Sequence, residues 1–166
     1  MTKQSVWVVT GAAGTLGQAL VQRVLERGDE CVAIDRDLKG LEALSDSMQA
    51  QGHRPPVIHP IDLVGATLQD LQDTAEAIGE AVGEINHLVH AAGSFKALRP
   101  LLHQPPDEWL ALTQLGIHAP LFLTQSLLER FSGQAHDSIV WVVDSTPLAQ
   151  PAHWGGYGLA QQAKAW

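Results

Sequence analysis

Three glycines open the list of residues whose types and spacing could do chemistry. Gly11, Gly14 and Gly17 stand three apart, directly after the apolar run 6–9. Such spacing lets the backbone turn sharply and approach a pyrophosphate, whose charge is then met by the N-terminus of the following helix. Asp35 ends the next apolar run. There a carboxylate can bond the ribose hydroxyls of an adenosine and disfavour a 2′-phosphate, which points to NAD over NADP. Arg36 follows and would receive a phosphate if Asp35 turned away. The chain also has eight histidines. His87 and His90 are three apart on a predicted strand and so on opposite faces. The others are scattered singly, without the spacing of a ligand set, and no protein-encoded metal site is expected.

The elements that must position these residues follow from periodicity. Val6, Trp7, Val8 and Val9 read as a strand buried on both faces. From Leu16 the period becomes helical, with Leu16, Leu20, Val21, Val24 and Leu25 on one face and Gly28 as the stop. Strands are predicted at 31–34, 57–61, 87–91 and 139–143. Helices are predicted at 40–51, with Leu41, Leu44 and Met48 inward, and at 68–82, with Leu68, Leu71, Ala75, Ile78 and Val82 inward. A longer helix is predicted from Asp107, its cap, to about 131. It buries Trp109, Leu112, Leu115, Leu123, Leu127 and Leu128, with a bend at Pro120. Residues 144–156 read as loop, followed by a helix from Tyr157 to Trp166. Strict strand–helix alternation implies an α/β, three-layer fold. Its doubly wound parallel sheet has order 3-2-1-4-5, with the ligand at the carboxyl ends beside the first strand.

Composition narrows the class. The 166 residues suit a single domain spanning 1–166, and 45% hydrophobic with 17% charged residues is a globular balance. A net charge of -8 argues against nucleic acid or an anionic membrane surface as partner. The single cysteine, Cys31, suits a reducing compartment. No apolar run approaches the ~18 residues of a membrane span, and MTKQS leads straight into the first strand. A soluble cytoplasmic protein is expected.

Taken together, TGAAGTLG at 10–17, Asp62-Leu63 after the third strand, HAAG at 90–93 and a Tyr157 helix after the fifth strand resemble the short-chain dehydrogenase/reductase family. The order and spacing match along the whole length. The spacing of Gly11, Gly14 and Gly17 is the G-x-x-G-x-x-G of the branch rich in epimerases and dehydratases, here a local variant. The resemblance implies a Rossmann fold and a dinucleotide held by Thr10, Gly11, Ala13, Gly14, Leu16, Gly17, Asp35, Arg36, Asp62, Leu63, Ala91, Ala92 and Gly93. His90-Ala91 stand where the family commonly has two asparagines.

The family's catalytic set is Asn, Ser and Tyr-x-x-x-Lys, and this chain departs from it. Tyr157 is present, but Gln161 takes the lysine position, Asp144 the serine position and Gly116 the asparagine position. A one-residue slip would bring Ser145 to the serine's place. An unassisted tyrosine, with a pKa of about 10, is phenolate in only about one molecule in 10³ at pH 7. Loss of the lysine charge removes the main term that lowers that pKa, and a carboxylate at Asp144 pushes it higher. Gln161 can still bond a ribose hydroxyl. Lys164 lies two turns beyond Tyr157 on the same stripe, a rise of about 10 Å. Trp154 is placed to wall the nicotinamide pocket.

The expected function is an NAD(P)-dependent oxidoreductase acting on a hydroxyl or carbonyl of an unknown small-molecule substrate, with a degraded catalytic set. The alternatives are a non-catalytic NAD(H)-binding sensor or partner subunit, and an NAD-dependent epimerase or dehydratase. Family members run on with further strands, so the fifth strand is expected to be an uncovered edge. A homodimer or homotetramer is expected.

Overall fold

The apolar runs pair into one parallel sheet, and the helical stripes cover both of its faces. The computed structural model describes residues 4–165. In chain order the elements are β1 (Val6–Thr10), α1 (Thr15–Glu26), β2 (Glu30–Asp35), α2 (Leu38–Ala50), β3 (Val57–Pro60), α3 (Leu68–Val82) and β4 (His87–His90). There follow α4 (Pro106–Thr113), a π-helical turn (Gln114–His118), α5 (Ala119–Leu127), β5 (Ser138–Trp141), α6 (Thr146–Ala149) and α7 (Gly155–Ala165). The sheet order is β3-β2-β1-β4-β5, as the alternation predicts. Val8 lies opposite Val32 on one side and Leu88 on the other.

Strand alternation divides the core in two. Val8, Val32, Ile34 and Leu88 pack with Leu71 and Ile78 of α3 and with Leu123 and Leu127 of α5. Val9, Ala33 and Val89 pack with Val21 and Val24 of α1 and with Leu41 and Met48 of α2. His87 and His90 fall on opposite faces, as their spacing requires. The His87 ring lies 3.9 Å from Trp7, and the His90 ring 4.5 Å from Trp141. His90 is buried, with Nε2 2.8 Å from Thr124 Oγ1 on α5 and Nδ1 without a partner.

Several expectations need correction. Leu16, Leu68 and Leu128 are about half exposed rather than inward. Pro105, not Asp107, is the N-cap of α4, and Pro106 occupies the first helical position, where a missing N–H costs nothing. The long helix is not one regular element bent at Pro120. The ring of Pro120 would meet the carbonyl of Gly116 in a regular α-helix, and the chain widens by one residue instead. The Ala119 N–H donates to Gln114 O, five residues back. α6 forms in the stretch read as loop, and α7 begins at Gly155. The predicted end of that helix, Trp166, lies outside the described residues. Among the described residues β5 is an edge strand, and its Ile139 and Val140 are partly exposed.

The π turn places Gly116 against α7, where an added Cβ would lie 2.5 Å from Ala160 Cβ. This contact seats α7, and Gly116→Ala should cost about 1–3 kcal/mol, read as a lower melting temperature. An unchanged melt would mean that the two helices part freely.

Burial, with a smaller contribution from the charge of Lys164, pushes the His90 imidazole down to about 3. The unfolded chain therefore binds a proton near pH 6.5 that the folded one refuses. Stability from neutral His90 is present above pH 6.5 and is lost as the pH falls toward 3. His90→Gln should flatten the acid limb of a stability–pH curve by up to roughly 1.4 kcal/mol per pH unit. Parallel curves would show that His90 is not the group responsible.

Candidate functional site

Backbone contacts that only glycine permits shape the nucleotide end of the site. Gly11 has φ 72°, and a Cβ there would lie 2.7 Å from the Ala92 backbone. A Cβ on Gly17 would lie 1.9 Å from Gly11 O, so α1 packs directly onto the turn. Gly14 is the N-cap of α1 and brings no side-chain acceptor. α2 and α3, by contrast, are capped by Asp37 and by the Thr67–Asp70 box. The first-turn N–H groups of α1 are left for an anion.

Asp35 is held in place from two sides. Its Oδ2 accepts the Ala13 N–H at 3.0 Å and its Oδ1 the Asp37 N–H at 3.0 Å. Asp62 accepts the Val64 N–H at 3.1 Å. Gly11, Gly14, Asp35, Arg36, Asp62, Leu63, Ala91, Ala92 and Gly93 line one cleft of about 600 Å³, partly open to solvent. The other four residues expected there do not line it. Thr10 accepts the Ala92 N–H through Oγ1, Ala13 anchors Asp35, Gly17 lies buried beneath the turn, and the Leu16 side chain is half exposed. Ile61, Val64, Ser94 and Leu115 line the cleft as well. Leu115 went unnoticed because its apolar type placed it in the core, and Ser94 because it follows the HAAG motif rather than belonging to it. The crowding at Gly11 and Gly17, the uncapped helix and the ordered carboxylate together fit a dinucleotide.

The second half of the site centres on Tyr157. Its hydroxyl donates to Asp144 Oδ2 at 3.2 Å. Asp144 Oδ1 accepts the Thr146 N–H at 2.8 Å, and the Asp144 N–H donates to Gln161 Oε1 at 3.0 Å. Gln161, 4% exposed, is thus committed to the backbone of the Asp144 loop. Ser145 does not take the serine's place: it is exposed, and its carbonyl accepts the Leu148 and Ala149 N–H groups of α6. Tyr157 and Lys164 both line one small cavity, but the charge of Lys164 bears on His90 rather than on the phenol. Hydrogen bonds from Thr146, and one from Tyr157, hold the Asp144 carboxyl below its ordinary range. Burial first, then the charge and hydrogen bond of Asp144, push the Tyr157 phenol up to about 12. Phe95 and Trp154 complete an aromatic wall with Tyr157, their ring centroids 5.0–5.8 Å apart. Among the described residues no group of three or more His, Cys, Asp or Glu is placed to hold a metal. Nor is any helix there long and apolar enough to cross a membrane.

A profile of the short chain dehydrogenase family matches residues 5–164. The chain belongs to that family. It is 24% identical over 156 residues to the uncharacterized oxidoreductase YciK of Escherichia coli (strain K12), covering 94% of this chain and 62% of that one. It is 25% identical over 136 residues to 3beta-hydroxysteroid dehydrogenase 2 of Eggerthella lenta, covering 80% and 50%. A structure described as a short chain dehydrogenase from Pseudomonas syringae superposes with a TM-score of 0.90 at 27% identity, over 96% of this chain and 66% of that one. Another, from Escherichia coli CFT073 and complexed with NADPH, superposes at 0.89 with 25% identity, over 96% and 66%. The chain spans 50–62% of these curated relatives' lengths.

Tyr157 is the only tyrosine in the chain, so an absorbance titration of phenolate reads this residue alone. The native midpoint should stand near 12 and be lower in Asp144→Asn without reaching 10, because burial remains. Because the folded pKa is the higher one, this group's stabilising contribution is whole below pH 10 and is lost as the pH rises through 12. A native midpoint near 10 would show that Asp144 and burial leave the phenol alone.

Proposed function

We propose that this chain is an NAD(P)-dependent oxidoreductase that moves a hydride to or from a carbon bearing oxygen in a small molecule, with Tyr157 at the reacting end. One observation carries this reading: Gly93, Ser94 and Leu115 line both the nucleotide cleft and the Tyr157 cavity, so the two are contiguous. A bound nicotinamide dinucleotide would supply or accept the hydride. Gly11 and Gly14 would admit its pyrophosphate to the N-terminus of α1, and Asp35 would accept the adenosine ribose hydroxyls. Toward a carbonyl, Tyr157 acts as a neutral phenol that donates its proton. In the opposite direction it is a weak base, because a pKa far above the working pH leaves little phenolate. Gln161 is a positioning residue acting through the Asp144 backbone.

The proposed preference is NAD, since a fixed carboxylate at Asp35 repels a 2′-phosphate. Arg36 lines the same cleft and is the group through which NADP would be accommodated. The exposed Leu110, Leu121 and Leu128 on the α4–α5 side support a homo-oligomer, a dimer or tetramer. The single, buried Cys31 suits a reducing compartment. A second reading, nucleotide binding without turnover, draws on the Tyr157–Asp144 bond, which opposes formation of the phenolate.

Calorimetric titration with NADH and NADPH tests the proposal. Micromolar NADH binding that is at least tenfold tighter than NADPH is expected. Gly14→Val should abolish it in a folded protein, because Gly14 has ordinary extended angles and its Cβ would meet only Gly11 O, at 3.2 Å. Unchanged affinity in Gly14→Val would overturn the assignment of the turn. Tighter NADPH binding would assign Arg36 the deciding role.

A further inference from the structure

A carboxylate stands where the reaction proposed above has least use for one. Asp144 is bonded to the hydroxyl that would donate to a carbonyl oxygen, and reduction of a carbonyl builds negative charge on that oxygen. An anion so close works against that charge, since an enzyme accelerates a step by favouring the charge that develops. The same group helps a reaction that builds positive charge. Among the described residues no Lys, Arg or His pairs with Asp144: the ion pairs are Arg23–Glu26, Arg27–Asp29, Arg54–Glu30 and Arg99–Glu108. Lys96, beside Phe95, and Lys164, which lines the Tyr157 cavity, are both absent from the groups that act on Asp144 or Tyr157, and the charge of Lys164 bears on His90.

The surroundings of Asp144 suit a cation. The Tyr157 ring whose hydroxyl meets the carboxylate is also part of the aromatic wall. Phe95 lies 5.2 Å and Trp154 5.8 Å from it, centroid to centroid, and 5.0 Å from one another. Phe95 is 46% exposed, so the wall presents π surface to an incoming molecule. A cation over such a face is attracted by the ring quadrupole, most strongly over Trp. The wall is also held from behind. The Arg99 N–H donates to His153 O at 3.0 Å, the Gly156 N–H donates to Gln104 Oε1 at 3.0 Å, and Arg99 pairs with the buried Glu108 at 3.5 Å. His153, just before Trp154, has φ 69°, a conformation that persists only where the surroundings impose it. These contacts fix the wall before a ligand arrives, which lowers the cost of binding.

We propose that Asp144 and the Phe95–Trp154–Tyr157 wall form an organic-cation subsite, and that the substrate pair is a tertiary amine and its iminium ion. The inference rests on the oxidoreductase reading above. In the step itself a hydride leaves the carbon next to the amine nitrogen for an oxidised nicotinamide dinucleotide, which becomes its reduced form. The nitrogen lone pair becomes the C=N π bond, and the iminium carries the positive charge beside Asp144. A tertiary amine is largely ammonium at neutral pH and reacts only as its free base, so its N–H proton passes to solvent water before the hydride leaves, and the phenol that Asp144 holds neutral is not needed as an acid or base.

The test compares choline with 3,3-dimethylbutan-1-ol, its uncharged carbon isostere, by ligand-observed NMR on the purified chain. Choline should bind about tenfold tighter, the scale of one desolvated cation–π contact with a carboxylate nearby. Asp144→Asn keeps the acceptor for Tyr157 and removes the charge, and should erase the preference, while Trp154→Leu should weaken it severalfold. A panel of cyclic tertiary amines with NAD and NADP should then be oxidised faster than matched secondary alcohols. Equal binding of the two probes, a preference that survives Asp144→Asn in a protein of unchanged melt, or alcohols oxidised faster than amines would each overturn the inference. NADH titration of the same samples keeps the two readings apart. Retained nucleotide binding with no choline preference leaves the oxidoreductase proposal standing, and lost nucleotide binding with the preference intact does the reverse.

Discussion

The architecture of the site depends on one backbone contact, the seating of α1 on the turn that ends β1. With no side chain at Gly17, the helix approaches until only van der Waals space separates it from Gly11 O, and Gly11 in turn lies against the Ala92 backbone where β4 ends. Three segments distant in sequence thus meet without side chains between them. That meeting opens the cleft between β1 and β4, where the order of the sheet reverses direction. It also aims an uncapped helix end into the cleft. Asp35 reinforces the arrangement by accepting the Ala13 N–H, tying the turn to the end of β2.

The fold was legible because its information is local and repeated. Continuous Val, Ile and Leu runs mark a sheet covered on both faces, and glycines close α1, α2 and α3, with Gly28, Gly52 and Gly83 all at positive φ. The cleft was legible for the same reason, since Gly11 follows directly from β1, Gly14 stands three residues on, and Asp35 is the last residue of β2. Contacts between distant segments were harder to read. Nothing in the order Gly116-Ile117-His118 reveals that Gly116 faces Ala160, because that contact depends on a π turn forced by Pro120 downstream. The loop 144–156 was equally opaque. Whether Asp144 or Ser145 meets Tyr157 is decided by the way Asp144 folds back to the Thr146 N–H, which spacing cannot express. Leu16, Leu68 and Leu128 misled because an apolar type at a helix terminus need not lie on the buried stripe.

The two halves of the site differ in what they ask of a ligand. The nucleotide half offers backbone N–H groups to an anion and shapes itself with glycines. The Tyr157 half offers a carboxylate, a phenol fixed as its donor, and three rings. Asp144 lines neither the nucleotide cleft nor the cavity beyond it and reaches the site through its bond to the Tyr157 hydroxyl, while Lys164 lines that cavity.

The widened turn at 114–118 also constrains how this chain can change length over evolutionary time. Removing one residue there would restore a regular α-helix and leave Leu123, Leu127 and Thr124 on the faces they now hold, because the widened turn already absorbs one residue beyond the α-helical count. Only the local seating of Gly116 on Ala160 would have to be found again. A residue added or removed later in α5 has no such turn to absorb it and would rotate the rest of the helix by about 100°, taking Leu127 out of the core. When relatives of this chain are aligned, a one-residue gap therefore belongs at 114–118 or in the flanking loops and not within α5.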